Sequence, residues 1–245
     1  MKRVLVLVLI VVLCVSCAPP GGDASPTRIL FIGNSYTYVN DLPKMFANLS
    51  KSGGHRLEVG MEAKGGWTLE DHVKSAETLK TLGSSEWDFV VLQEQSQIPA
   101  SDIFRKMGMY PAARTLVAQI REFGATPVLY LTPAHLDGWP AEGMDYATMQ
   151  AQINIGYWEL ARELDLLVAP AGMAWFNGRE QNPVLSLWQA DNSHPAKQGT
   201  YLTACVFYAT IFHESPLGLK YRANLSKEIA ETLQTIAANT VLQTP

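Results

Sequence analysis

Cysteine is nearly absent: Cys14, Cys17 and Cys205 are the only three in 245 residues. A disulfide framework is thereby excluded, and the fold has to stand on a hydrophobic core. Charge is sparse as well, at 17% of residues, and positive charge has no excess. Nineteen Lys and Arg stand against 23 Asp and Glu, for a net charge of -4. A basic stripe of the kind nucleic-acid binding requires is missing, which excludes a nucleic-acid partner. Gly-x-Gly-x-x-Gly and P-loop patterns do not occur, so nucleotide binding has no support, and the Gly-x-Ser-x-Gly elbow is absent too. Among the five histidines, His55, His72, His135 and His213 are scattered without metal-ligand spacing. Neither a metal nor an organic cofactor is therefore expected.

Long apolar runs are also missing, apart from one at the start. Lys2 and Arg3 precede an unbroken apolar stretch over residues 4–13. That stretch is too short to cross a hydrocarbon core of about 30 Å, so it reads as the h-region of a signal peptide. It closes on Cys14-Val15-Ser16-Cys17, which resembles the lipobox of bacterial lipoproteins, with Cys14 where Leu is usual. The resemblance implies a signal peptide over residues 1–16 and lipidation of Cys17, hence a membrane anchor in the cell envelope. An ordinary cleaved signal peptide or a plain membrane anchor is the alternative. Residues 17–27 contain Pro19, Pro20, Gly21, Gly22, Ser25 and Pro26, and read as a flexible linker. Cys205, among Thr203, Ala204, Val206 and Phe207, reads as a small buried thiol.

Residues 28–245 show no further linker or repeat and are expected to form one domain. Hydrophobic residues make up 47% of the chain, enough for one sizeable core. Short apolar runs at residues 28–32, 56–61, 88–92, 127–131 and 166–168 read as strands. Helix-period apolar patterns cover residues 41–51, 111–123 and 146–164. Pro195 suits the first turn of a helix that carries Leu202, Cys205, Val206 and Ala209 on one face, and a last helix starts near Ser226. Apolar strands alternating with helices predict a three-layer α/β/α sandwich with a mainly parallel central sheet of about five strands. In such sheets the ligand crevice lies beyond the carboxyl ends of the strands.

Two constellations carry chemistry. Ser35 follows the first strand in Phe31-Ile32-Gly33-Asn34-Ser35, where a turn would aim its hydroxyl into the crevice. Asp191-Asn192-Ser193-His194-Pro195 puts an acid and an imidazole three residues apart on one loop before a helix. An imidazole so held takes a serine proton and returns it to a leaving group, while the carboxylate orients the ring. Taken singly, the serine reads as a helix cap and the Asp-x-x-His as a surface loop. Their combination and order resemble the SGNH/GDSL hydrolase superfamily, a flavodoxin-like fold. The resemblance implies a nucleophile at Ser35, with His194 and Asp191 as its acid–base partners.

The same resemblance implies an oxyanion hole built from the Ser35 N–H, a glycine N–H and a side-chain amide. Gly65-Gly66-Trp67-Thr68 looks like the second family block and nominates Gly66. The third block departs from the family, with Gln93-Glu94-Gln95-Ser96 in place of Gly-x-Asn. Gln93, at the strand end, is the expected amide donor, and Gln95 is the alternative. His135 is expected as a solvated loop residue near the crevice. Trp67, Trp139, Trp175 and Trp188 are expected in nearby loops, where packing is the first reading and stacking on a sugar the second. The function implied is an exported serine esterase acting on a small-molecule or carbohydrate ester, with acetylated carbohydrate as the substrate guess. An O-acyltransferase using the same triad and a non-catalytic glycan-binding lipoprotein are the competing readings.

Overall fold

The computed structural model describes residues 25–243. The expected signal peptide, Cys17 and most of the expected linker lie outside the described residues. Thr27, expected to end the linker, already belongs to the first strand. Five strands form one sheet: β1 (Thr27–Gly33), β2 (Leu57–Ala63), β3 (Phe89–Leu92), β4 (Thr126–Tyr130) and β5 (Leu167–Ala169). Every pairing is parallel, and the order across the sheet is β2-β1-β3-β4-β5.

Side chains alternate across each strand, so β1, β3, β4 and β5 feed two cores. Ile29, Phe31, Val91, Val128 and Tyr130 face one way. Leu30, Ile32, Val90, Leu92 and Leu129 face the other. In these strands both faces are buried, which is why their runs are apolar and why helices have to cover each side, whereas the edge strand β2 carries Glu58 and Glu62 and lends only Leu57 and Val59 to the first core. The helical segments in chain order are α1 (Ser35–Tyr38), α2 (Leu42–Ser52), α3 (Leu69–Lys74), α4 (Ala76–Leu82) and α5 (Asp102–Phe104). They continue with α6 (Tyr110–Glu122), α7 (Tyr146–Leu164), α8 (Ala171–Gln181), α9 (Lys197–Phe212) and α10 (Lys227–Leu242). Helices α2, α8, α9 and α10 pack on the first core. The second lies under α3, α4, α6 and α7. Side-chain caps set several of the starts: Asp41 accepts from the Lys44 N–H, Asp145 from Thr148 and Ser226 from Ile229.

Three expectations need correction. Pro195 does not open α9; it precedes the Ala196 cap and bridges back to Trp188. Nor does α9 present one apolar face. Thirteen of its sixteen residues are buried, because α2 and α10 enclose it from both sides. Trp175 is not in a loop: it lies on α8, fully buried, and its indole N–H donates to Thr203 Oγ1 at 3.1 Å. Cys205 sits in the first core, and burial pushes its thiol pKa well up.

The strand order reverses direction between β1 and β3. Connections run outward to β2 on one side and to β4 and β5 on the other, so the loops leaving β1 and β3 diverge and open a crevice between them.

Close approach of α9 to α8 depends on Gly199. A Cβ at this position would overlap the Leu187 carbonyl and the Trp175 ring. Replacing a helical glycine by alanine gains up to about 0.5–1 kcal/mol, the figure for a helix interior, and Gly199 stands in the first turn of α9. Overpacking a rigid core costs about 1–3 kcal/mol, and here it should win. Gly199→Ala is expected to lower the stability measured by urea denaturation; a gain would show that the α8–α9 contact yields.

Candidate active site

The first strand ends in Gly33-Asn34-Ser35, and Asn34 organises the turn. Its Oδ1 accepts from the Tyr36 N–H at 3.1 Å, its Nδ2 donates to the Trp67 carbonyl at 2.9 Å, and its own N–H donates to Gln93 Oε1 at 2.8 Å. Ser35 is thereby held at the start of α1, 9% exposed. Its hydroxyl donates to His194 Nε2 at 2.9 Å, and His194 Nδ1–H donates to Asp191 Oδ2 at 2.6 Å. This assigns the tautomer, since the carboxylate accepts at Nδ1. Ser35, His194 and Asp191 are therefore brought together as expected.

The loop before α9 is held from within and from without. Asp191 Oδ1 accepts from the backbone N–H groups of Ser193 and His194 at 3.0 and 2.9 Å. Asn192 takes a left-handed φ of 58°, its carbonyl accepts from the Leu136 N–H at 2.7 Å, and its side chain donates to Asp137 at 2.8 Å. The hydrogen bond from His194, followed by the backbone N–H of Ser193, pulls the Asp191 carboxyl down to about 2. The Tyr36 ring meets the His194 ring edge-on at 6.0 Å, and its hydroxyl shares a hydrogen bond with Ser193 Oγ at 3.1 Å.

Gln93 is brought to the site but not as the expected donor. Its Nε2 donates to Asn34 Oδ1 at 2.9 Å and to the Glu94 carbonyl at 2.7 Å, which occupies both amide hydrogens. Its Oε1 accepts from the Asn34 N–H and from Thr37 Oγ1 at 2.9 Å. Nothing is left to offer a substrate. Gln95 differs: its Oε1 accepts from the N–H groups of Gln97 and Ile98 at 2.8 and 3.3 Å, while its Nε2 donates to nothing among the described residues. A side-chain amide is therefore available at Gln95, as it is not at Gln93. Gly66 is exposed with φ 73°, and its N–H, like that of Ser35, has no partner among the described residues.

Two histidines near the site have partners that sequence reasoning did not find, while the tryptophans outside α8 pack as first expected. His72, one of the scattered histidines, is 1% exposed. Its Nε2–H donates to the Gly33 carbonyl at 2.8 Å while Nδ1 accepts from Thr78 Oγ1 at 3.0 Å; burial lowers its pKa. His135 is not a solvated loop residue. It is half-buried, its Nε2 pairs with Ser96 Oγ at 2.8 Å, and burial, then the nearby His194, lowers its pKa. Trp67, Trp139 and Trp188 are half-buried packing residues: Trp67 lies edge-on to His72, Trp139 stacks with Phe104, and Trp188 meets Trp175. No local pattern signals the partners of His72 at Gly33 and of His135 at Ser96, because each lies 39 residues away.

Family models and curated proteins give no match to this chain, whereas solved structures do. A protein of Slackia heliotrinireducens described as an SGNH hydrolase is 30% identical, with a TM-score of 0.66; the match covers 76% of this chain and 99% of that one. A DUF4886 family protein from Bacteroides uniformis has 20% identity and a TM-score of 0.77, over 89% of this chain and 95% of the other. An acetylxylan esterase from Geobacillus stearothermophilus has 18% identity and a TM-score of 0.58, over 77% and 95%. The last two are likenesses of fold alone.

The four hydrogen bonds of Gln93 make a stability prediction. Gln93→Leu leaves the buried Asn34 N–H and Thr37 hydroxyl unpaired, at about 1–3 kcal/mol each. A drop of at least about 2 kcal/mol in denaturation experiments is expected. An undiminished stability would return Gln93 to the role of a free donor.

Proposed function

Because this chain belongs to the SGNH hydrolases, we propose that it is a serine esterase in which Ser35 is the nucleophile, His194 the general base and acid, and Asp191 the residue that orients His194. The observation that carries this reading is the continuous chain of hydrogen bonds from Ser35 Oγ through His194 to Asp191, at 2.9 and 2.6 Å. In the first step Ser35 Oγ attacks the ester carbonyl carbon as its proton passes to His194 Nε2. The imidazolium, paired with Asp191, then protonates the departing alcohol and leaves an acyl-enzyme. Water attacks that carbonyl, His194 takes the water's proton, and returning it to Ser35 Oγ releases the carboxylic acid.

Both steps pass through a tetrahedral oxyanion. Its donors in this proposal are the Ser35 N–H, the Gly66 N–H and the Gln95 side-chain amide, each without a partner among the described residues. Gln93, the donor expected from sequence, takes the role of a brace instead. The open setting of the acid–base pair favours water as the acyl acceptor. His194 and Asp191 side chains are 36% and 48% exposed, so the described residues do not exclude water from this pair as transfer to another hydroxyl would need. The likeness to an acetylxylan esterase, together with the sequence signs of export, leads us to acetylated carbohydrate as the substrate class. Cys17 would anchor the enzyme by a lipid in the cell envelope, on the lipobox-like Cys14-Val15-Ser16-Cys17.

Wild-type protein should label with a fluorophosphonate probe and Ser35→Ala should not; a well-folded wild type that never labels sinks the esterase and favours a glycan binder. Gln95→Ala is expected to lower kcat by about 10²–10³ with little change in KM. Asp191→Asn should lower kcat by about 10⁴ through the wrong imidazole tautomer. Release rates from acetylated xylo-oligosaccharides against longer acyl esters test the substrate class. Loss of the protein from the membrane fraction in Cys17→Ala tests the anchor.

A further inference from the structure

Glu94 lies between the two glutamines, beyond the carboxyl end of β3, and is 1% exposed. Its Oε1 accepts two backbone N–H groups from different loops: Gln95 at 2.7 Å and Leu69 at 3.2 Å. Leu69 is the first residue of α3, three positions past Gly66. One carboxyl oxygen therefore closes the loop after β2 onto the loop after β3. The main chain of Glu94 is anchored too. Its N–H donates to the Tyr157 hydroxyl at 3.2 Å, and its carbonyl accepts from Gln93 Nε2.

Among the described residues no cation pairs with this carboxyl. The titratable groups that face it are Glu70 and Asp71 on α3 and Tyr157 on α7, and its Oε2 is buried without a partner. Burial, with Asp71 and Glu70 adding to it, pushes the Glu94 pKa up to about 8. A carboxyl so placed is a costly way to fill core space, because an unpaired buried charge is strongly disfavoured. Its acceptor geometry is what an aliphatic side chain would lack.

We propose that Glu94 is a positioning residue that sets the separation of the Gly66 loop and Gln95, and so pre-assembles the oxyanion donors. The proposal rests on the esterase reading above. Donors of this kind act only if they are in place before charge develops, and misplacement by about 1 Å is enough to cost about 10²-fold in rate. In the neutral form Glu94 also adds no negative charge beside the developing oxyanion.

Glu94→Leu and Glu94→Gln separate the acceptor from the charge. The Leu variant lacks the acceptor; the Gln variant keeps an oxygen for both N–H groups and does not ionise. With 4-nitrophenyl acetate as probe, the Leu variant is expected to lose about 10²-fold in kcat with KM within about threefold. The Gln variant should stay within about threefold of wild type at neutral pH and hold its kcat at about pH 9, where wild type declines. A stability readout runs in parallel. Because folding raises the Glu94 pKa, its contribution is full below the unfolded value near 4.5 and is lost as pH rises through about 8. The Tm of the Gln variant should thus exceed that of wild type by a margin that widens from about pH 5 to about pH 9.

A folded Leu variant with wild-type kcat overturns the proposal, as does a Gln variant as slow as the Leu variant. Should the Leu variant not fold, hydrogen exchange of the Leu69 and Gln95 amides in wild type decides. Protection near that of the core strands supports the clamp, and exchange at the rate of open loops overturns it. The exchange readout does not need turnover. Wild type that neither labels with fluorophosphonate nor hydrolyses esters therefore sinks the esterase reading, while the clamp is judged separately.

Discussion

The Gln93 side chain places its full hydrogen-bonding capacity, two donors and two acceptor sites, within the loop that carries Ser35 and the backbone beside it. A side-chain amide this engaged ties the end of β3 to the end of β1 across the point where the sheet order reverses. The crevice would otherwise be free to widen there, since the two strands send their loops in opposite directions. Gly33 follows from this constraint. Any Cβ at this position would collide with Gln93 Oε1 and Thr37 Oγ1, so the amide approaches the strand only because the side chain is missing. Asn34 and Gln93 act as a reciprocal pair, and Ser35 inherits its position from them.

The opposite rim works on a different principle. Asp191 and His194 meet through a turn of three residues and need no distant partner for their mutual geometry. Both are substantially exposed, so solvent screening keeps the ionic part of their attraction small. What the carboxylate supplies is orientation and tautomer. Because it stays ionised down to about pH 2, it supplies both throughout the range in which a histidine titrates. The Leu136 N–H and Asp137 hold the turn to the loop after β4, which is why it needs no cover.

This division explains what could be read from the residues and what could not. Four strands were legible because burial on both faces leaves apolar runs, the edge strand β2 because it alternates, and Asp191 with His194 because the interaction is local. The short helices α3, α4 and α8 were missed, since segments of six to eleven residues carry little periodicity. Position α9 within the interior depended on neighbours that no single helix pattern names. The choice between Gln93 and Gln95 turned on which side chain finds partners at Asn34 and Thr37, some sixty positions away. Glu94 reads as a solvent-facing charge by type, and only the convergence of Leu69, Gln95 and Tyr157 removes it from water.

Stiffness and openness are thus divided between the two sides of the crevice. Beneath Ser35 the floor is polar and largely sealed: the Gly33 carbonyl accepts from His72 and Lys64, Gln93 braces Asn34, and Glu94 joins the next two loops. Moving any of these loops breaks a buried hydrogen bond, and a polar group stranded there costs about 1–3 kcal/mol. Donors for a developing charge benefit from that rigidity, because their alignment then adds nothing to the barrier. In the proposed esterase, proton transfer asks for the reverse, since the imidazole would exchange its proton with leaving alcohol and incoming water in turn. A half-exposed His194 on a self-contained turn meets that need, and the 2.9 Å contact with Ser35 is the place where the rigid side hands over to the accessible one.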